Sequence, residues 1–296
     1  MNDVIVAFGD SITQRGQDPK MKGWVSQLIN RYIRKLDVLN RGFAGYNTKS
    51  GCVMFPRIFP TTNGKPTSGK IKFHDTVVYK SAEELSLRAD QEFGAGKNLE
   101  SKIKLVIIFF GANDSCFPGT QQHVPLTEFK TNIASMITLL RDPKSLKYSP
   151  WTKVILITPP PYSKAMWNKT VAEIGFYETR RSNFAVKQYV DAVVEVGKKF
   201  RVPVIDIWTA FMNEIKAMRE KKFKSANLDD LRAQSYSEAS YGFDELLIDG
   251  IHLTKRGNDK VFKMLTNLID EQFPELRCEN IGELMPEWNA LFPVDK

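Results

Sequence analysis

The sequence predicts a doubly wound α/β sandwich, and two observations carry that prediction. Five short runs of β-forming apolar residues are separated by segments whose apolar residues recur at spacings of three and four, the period of an amphipathic helix. The runs stop at glycine, asparagine, aspartate or a proline cluster, as buried strands do where they enter turns.

The first run, Val4 to Phe8, ends at Gly9-Asp10 and is followed by a turn carrying Ser11. From Trp24 through Val25, Leu28, Ile29, Tyr32, Ile33 and Leu36 the pattern is that of a helix. Val38-Leu39 then forms a short second strand closed by Asn40-Arg41-Gly42, so the opening reads as a parallel βαβ unit. Leu105 to Phe110 is wholly apolar, as expected of a central parallel strand covered on both faces, and ends at Gly111-Ala112-Asn113-Asp114. A helix follows with Leu126, Phe129, Ile133, Met136, Ile137 and Leu140 on one face. Val154 to Ile157 is a fourth strand, stopped by Thr158-Pro159-Pro160-Pro161. Phe176 to Lys199 contains a long helix, and Val204-Ile205-Asp206 supplies the fifth strand. A closing helix, capped by Thr254, buries Val261, Leu265, Leu268, Ile269 and Phe273.

Two stretches interrupt the rhythm. Thr61 to Lys70 reads as loop, Ile71, Phe73, Val77 and Tyr79 suggest an exposed strand, and Ser81-Ala82-Glu83-Glu84 fits a capping box. Ser225 to Phe243 is the second. Both are expected to be surface insertions, at about 60–103 and 225–243, in one domain spanning 1–296 with a C-terminal tail from about 277. No internal repeat is present.

Composition bounds the class. A chain of 296 residues with 42% hydrophobic and 26% charged residues can bury a substantial core, which argues against disorder. The longest apolar runs are about a third of the roughly 20 residues a membrane-spanning helix needs. The start, Met1-Asn2-Asp3 and a short apolar run, lacks the basic leader of a secretory signal, so a cytoplasmic location is expected. Cys52, Cys116 and Cys278 are odd in number and too scattered for a disulfide framework or metal knuckle; they read as reduced thiols. The Asn113 and Asn168 sequons would matter only in a secreted protein. A net charge of +8 is compatible with nucleic acid, anionic membrane or acidic substrates. The densest basic cluster, Lys221, Lys222 and Lys224, has one nearby aromatic, Phe223, and reads as a solvated helix end rather than a nucleic-acid groove.

In doubly wound sheets ligands collect beyond the carboxyl ends of the strands, which directs attention to Ser11, Gly45 and Asn113, and to Asp249-Gly250-Ile251-His252 ahead of the closing helix. Acyl transfer needs a nucleophile, a base, a carboxylate to orient the base, and donors for the oxyanion. Here Ser11 supplies the hydroxyl, His252 the imidazole and Asp249 the carboxylate. The Ser11 and Gly45 N–H groups with the Asn113 amide supply the oxyanion hole. An imidazole must be neutral to take a proton, so activity is expected to fall on acidification.

Each residue also has a structural reading. Ser11 would be an N-cap, Gly45 a turn glycine, Asn113-Asp114 a cap or Asx-turn, His252 a structural imidazole and Asp249 a cap. The coincidence of complementary groups in four segments favours chemistry. His74 and His123 have no carboxylate in the same D-x-x-H arrangement, and there is no G-x-x-x-x-G-K-[ST], G-x-S-x-G or H-E-x-x-H motif. Phe117, Tyr162 and Trp167 are candidates for lining an acyl pocket or for core and surface roles.

The blocks Gly9-Asp10-Ser11-Ile12, Gly45, Gly111-Ala112-Asn113-Asp114 and Asp249-Gly250-Ile251-His252 resemble, in order, the signature of the SGNH (GDSL) hydrolase family. Longer stretches look like its isoamyl acetate-hydrolysing esterase subgroup: Asn40 to Tyr46, Gly111 to Ser115 with Val124 to Phe129, and Asp249 to Leu253. The resemblance spans Val4 to about Phe273. It implies a flavodoxin-like three-layer α/β/α sandwich on a five-stranded parallel sheet, and a serine esterase without metal or cofactor. It places catalytic roles on Ser11, Gly45, Asn113, Asp249 and His252. The implied partner is a small-molecule, short-chain acyl ester, with no nucleic acid and no membrane span. The two insertions depart from the subgroup pattern and would lid the pocket or mediate self-association. Thioesterase, lysophospholipase and acyltransferase activities would use the same groups, and a non-catalytic binding protein on this scaffold is the rival of another class.

Overall fold

The computed structural model describes residues 3–59, 101–173, 180–223 and 239–283. The predicted strand at Ile71 to Tyr79, the capping box at Ser81, His74, most of both insertions and the end of the tail lie outside the described residues.

Five parallel strands form one sheet: β1 (Val4–Gly9), β2 (Asp37–Gly42), β3 (Ile103–Phe109), β4 (Lys153–Ile157) and β5 (Val204–Ile205), in the order β2-β1-β3-β4-β5. Leu105, Ile107 and Phe109 of β3 point into one apolar layer, while Val106 and Ile108 point into the other. β1 and β4 divide their side chains in the same way, which is why these central strands read as continuous apolar runs. The edge strand β2 is only half-buried and carries Asn40 and Arg41.

Helices cover both faces. Against the first layer pack α2 (Trp24–Arg31), α7 (Ile207–Phe223) and α9 (Lys255–Gln272), through Trp24 and Leu28, Phe211 and Ile215, and Val261, Leu265 and Ile269. Against the second pack α4 (Leu126–Arg141) and most of α6 (Asn183–Phe200), through Phe129, Ile133 and Ile137, and Tyr189, Val193 and Val196. The result is a three-layer α/β/α sandwich. The Thr254 side chain accepts from the Gly257 N–H and caps α9 as expected; Leu268 and Phe273 are only partly buried. Lys221 and Lys222 end α7. Among the described residues no helix is long and apolar enough to cross a membrane.

Several boundaries differ from the sequence expectation. Ser11 is not in a turn: it is the first residue of a one-turn helix, α1 (Ser11–Arg15), capped by Asp10. The helix α2 stops at Arg31 rather than running to Leu36, because the chain reverses toward β2 with Arg34 at φ +65°. Turn hydrogen bonds from Lys35 and Leu36 to the Tyr32 carbonyl keep a near-helical spacing, so Tyr32 and Leu36 remain buried while Ile33 is exposed. The helix in the segment from Phe176 begins at Asn183, where Ser182 accepts from the Ala185 N–H. Three further helices were not anticipated: α3 (Thr48–Met54), α5 (Lys164–Glu173) and α8 (Phe243–Leu246). Their buried residues are few, so they leave little apolar period to read.

Candidate active site

The order β2-β1-β3 places the chain reversal of the sheet between β1 and β3, where an open parallel sheet leaves a crevice beyond its carboxyl edge. Ser11 follows β1, the Gly45 loop follows β2 and Asn113 follows β3, so all three meet at that crevice. The Asp10 carboxylate accepts from the Ile12 N–H at 2.9 Å and starts α1, which leaves Ser11 at the helix N-terminus with its side chain projecting. The N–H groups of Ser11 and Gly45 have no protein acceptor among the described residues.

The loop around Gly45 is fastened on two sides. Toward α1, Asn40 Nδ2 donates to the Thr13 carbonyl at 2.8 Å, and the Ala44 N–H donates to Gln14 Oε1 at 2.7 Å. Toward the segment after β3, Asn113 Nδ2 donates to the Tyr46 carbonyl at 2.8 Å and Gln122 Nε2 to the Gly45 carbonyl at 3.2 Å. Asp114 Oδ1 accepts from the Thr48 N–H and hydroxyl, so a different segment ties down the start of α3, whose N-cap is Asn47 with Oδ1 accepting from the Ser50 N–H at 3.0 Å. Gly45 has φ +81°, and a Cβ there would meet only Gln122 Nε2, at an ordinary contact distance of 3.6 Å, so conformation and not crowding calls for glycine.

The fourth segment is a tight reversal. The Ile248 N–H donates to the His252 carbonyl at 2.8 Å, and Asp249 Oδ1 accepts from the N–H groups of Ile251 and His252 at 3.0 and 2.9 Å. Gly250 turns the chain at φ +98°, and a Cβ there would lie 2.5 Å from the Ser163 carbonyl oxygen. This close packing against the start of α5 aims the imidazole at α1. Ser11 Oγ lies 2.8 Å from His252 Nε2, and His252 Nδ1 lies 2.6 Å from Asp249 Oδ2.

The structure therefore brings together Ser11, His252 and Asp249 in one hydrogen-bonded chain, with Gly45 and Asn113 on the neighbouring loops. Hydroxyl, imidazole and carboxylate in that order can pass a proton from oxygen to ring nitrogen while the carboxylate stabilises the resulting cation. Burial works against charge on Asp249, but hydrogen bonds and attraction from His252, with the two backbone N–H groups, outweigh it and hold its pKa below the ordinary carboxylate value. Arg15 adds a guanidinium 3.6 Å from Asp249 Oδ2. His123 is apart from this chain, with Nδ1 2.6 Å from the Cys116 carbonyl oxygen.

Two buried carboxyls behind the site were not anticipated. Burial, with added repulsion from Asp114, outweighs the Ile12 N–H hydrogen bond and raises Asp10 from the ordinary 3.8 to about 7, and burial raises Asp114 to about 6. A carboxyl whose folded pKa is raised favours the folded state at low pH, and that stability is lost as pH rises from the unfolded value through the folded one. Wild-type stability, measured relative to Asp10→Asn by chemical denaturation, should thus fall by up to about 4 kcal/mol between about pH 4 and pH 8. Parallel stability curves for the two proteins would contradict this.

Arg181 is a third unanticipated residue. It is 5% exposed, donates from Nε to the Ala112 carbonyl at 3.0 Å, and from NH2 to Asn113 Oδ1 at 2.9 Å and Gln122 Oε1 at 3.2 Å. Its guanidinium lies over the Trp167 ring, 5.4 Å from the centroid. Of the aromatics considered for an acyl pocket, Tyr162 is buried in the core, Trp167 is partly buried beneath Arg181, and Phe117 is exposed. A surface cleft of about 670 Å³ runs along α4, with Pro56, Thr131 and Ser135 in its lining, and contains none of the site groups. Among the described residues no group of three or more His, Cys, Asp and Glu side chains is arranged to hold a metal ion.

Residues 5–265 match the family model described as GDSL-like lipase/acylhydrolase. The isoamyl acetate-hydrolyzing esterase 1 homolog of Rattus norvegicus is 32% identical over 286 residues, covering 96% of this chain and 86% of the relative. The isoamyl acetate-hydrolyzing esterase of Saccharomyces cerevisiae is 26% identical, covering 95% and 92%. Among solved structures, the lipase/acylhydrolase from Enterococcus faecalis matches with a TM-score of 0.51 at 21% identity, covering 96% of this chain and all of that one, which is a likeness of fold.

Proposed function

Because the chain belongs to the GDSL lipase/acylhydrolase family, and is a carboxylic ester hydrolase, we propose that it cleaves small, short-chain acyl esters through an acyl-Ser11 intermediate. The observation that carries this reading is the unbroken hydrogen-bond chain Ser11–His252–Asp249 beside two N–H groups without acceptors among the described residues.

Ser11 Oγ attacks the ester carbonyl carbon as His252 Nε2 takes the hydroxyl proton, and the carbonyl π pair moves onto oxygen. The Ser11 and Gly45 N–H groups and the second proton of Asn113 Nδ2 receive that oxyanion. Collapse re-forms the carbonyl and breaks the bond to the alkoxy group, which leaves as the alcohol with the proton from His252. Water then attacks the acyl-serine, again giving its proton to His252, and collapse returns that proton to Ser11 Oγ and releases the carboxylic acid. Asp249 stays ionised throughout, in keeping with its lowered pKa.

The short-chain preference draws on the relatives named for isoamyl acetate hydrolysis. A series of p-nitrophenyl esters tests it. The expected kcat/KM is highest between acetyl and butyryl and drops at least about tenfold by octanoyl, since each methylene misfit is worth about 1 to 3 kcal/mol. A rising profile toward long chains would replace small esters with lipid substrates. The reading also takes the chain as one hydrolase domain, supported by the span of the 5–265 match. A reducing, cytoplasmic setting is supported by three free cysteines, Cys52, Cys116 and Cys278.

A further inference from the structure

We propose that Arg181 is a positioning residue for the reaction, which fixes the orientation of the Asn113 amide and strengthens its N–H toward the oxyanion. The proposal rests on the oxyanion role given to Asn113 above.

A buried guanidinium is costly unless it is paired, and a structural arginine normally meets a carboxylate. Arg181 meets none within ion-pair distance among the described residues: its hydrogen bonds go to the carbonyl oxygens of Ala112, Asn113 and Gln122, and its face to Trp167. Buried Asp10 feels the Arg181 charge through space, but no carboxylate among the described residues takes the guanidinium hydrogen bonds, so its donors are directed at the Asn113 amide, on the side where negative charge develops in the reaction.

Its effect on Asn113 follows from donor and acceptor inventories. A guanidinium has no acceptor and a backbone carbonyl has no donor. With Arg181 on one side and the Tyr46 carbonyl on the other, Asn113 can place only Oδ1 toward the arginine and only Nδ2 toward Tyr46. One Nδ2 proton is used there, and the other is left for the substrate oxygen. The cationic donor on Oδ1 withdraws electron density through the amide and makes that second N–H a better donor. The same NH2 reaches Gln122 Oε1, and Gln122 Nε2 holds the Gly45 carbonyl, so one cation supports both loops that carry the donors. The predicted signature is an effect on the transition state and not on substrate binding, since the oxyanion exists only during reaction.

The test is a double-mutant cycle between Arg181→Met and Asn113→Ala, with steady-state kinetics on an acetate ester and a thermal melt of every variant. Arg181→Met should lower kcat about 10- to 100-fold with KM changed less than about threefold. In the Asn113→Ala background the same substitution should cost less than about threefold, because the amide through which it acts is gone. Arg181→Lys keeps the charge without the planar fork and should recover part of the loss; should Arg181→Met fail to fold, Arg181→Lys runs the same cycle, with a smaller loss that again vanishes without Asn113. Equal losses in both backgrounds, or a raised KM at unchanged kcat, would overturn the proposal and leave Asn113 in its role. An Asn113→Ala enzyme of undiminished kcat would remove the oxyanion role itself, and this proposal with it.

Discussion

Ser11→Ala should lower kcat for an acetate ester by about 10⁴-fold or more, with no loss of fold. The variant removes the one hydrogen bond of the Ser11 hydroxyl, to His252, and leaves the start of α1 intact because Asp10 and not Ser11 is its cap. Alanine is a good helix former, so the melting temperature should stay within about 2 °C of wild type. Activity does not fall to the uncatalysed rate, since the N–H donors can still polarise a bound ester for attack by water. Adding His252→Ala to Ser11→Ala should cost little more, as the imidazole has no hydroxyl left to deprotonate. Retained turnover in the single variant would exclude an acyl-serine route.

The second large effect is expected from Asp249→Asn, and it arises from tautomers. In the wild type Oδ1 accepts two backbone N–H groups while Oδ2 faces His252 Nδ1. An asparagine must keep its oxygen on the two backbone donors, so its NH₂ turns toward the ring. His252 Nδ1 then has to accept, its proton moves to Nε2, and Nε2 can no longer take the proton of Ser11. A loss of about 10³- to 10⁴-fold in kcat at neutral pH is expected, with the reversal from Ile248 to His252 intact by circular dichroism and thermal melt. A loss under about tenfold would mean that Asp249 serves as a cap for the turn and not as the orienter of the base.

How much of this was legible in the sequence differs by element, for physical reasons. The strand β3 was legible because both of its faces are buried, so every residue from Leu105 onward is apolar. The helix α4 was legible because its five buried residues, Phe129 to Leu140, follow one stripe. By contrast α3 buries only Thr48 and Gly51, so no apolar period announces it; its one local signal is the Asn47 cap, and Asp114, 66 positions away, adds to the hold on its start. The end of α2 was hidden for the opposite reason, since Tyr32 and Leu36 stay buried through a turn that mimics helical spacing.

The site shows the same division. Ser11, Gly45, Asn113, Asp249 and His252 stood out because each lies after a strand or in a compact D-x-x-H turn, and the structure brings these segments to one edge of the sheet. Asp10 and Asp114 carry the same letters whether solvated or buried; their raised pKa values come from tertiary burial, which the chain does not write locally. Arg181 was invisible for a related reason. Its acceptors are the Ala112 backbone carbonyl and the side-chain amide oxygens of Asn113 and Gln122, neutral groups about 60 to 70 positions away, so no complementary charge or local spacing marks the partnership.

The most direct measurement is the site of covalent modification by a fluorophosphonate, read by peptide mass spectrometry alongside residual esterase activity. The expected result is one adduct per chain, on Ser11, forming in step with the loss of activity and slowed at least about 100-fold in His252→Ala. Full activity in a protein modified at Ser11, or inactivation with the adduct on another residue, would contradict the relay from Ser11 through His252 to Asp249.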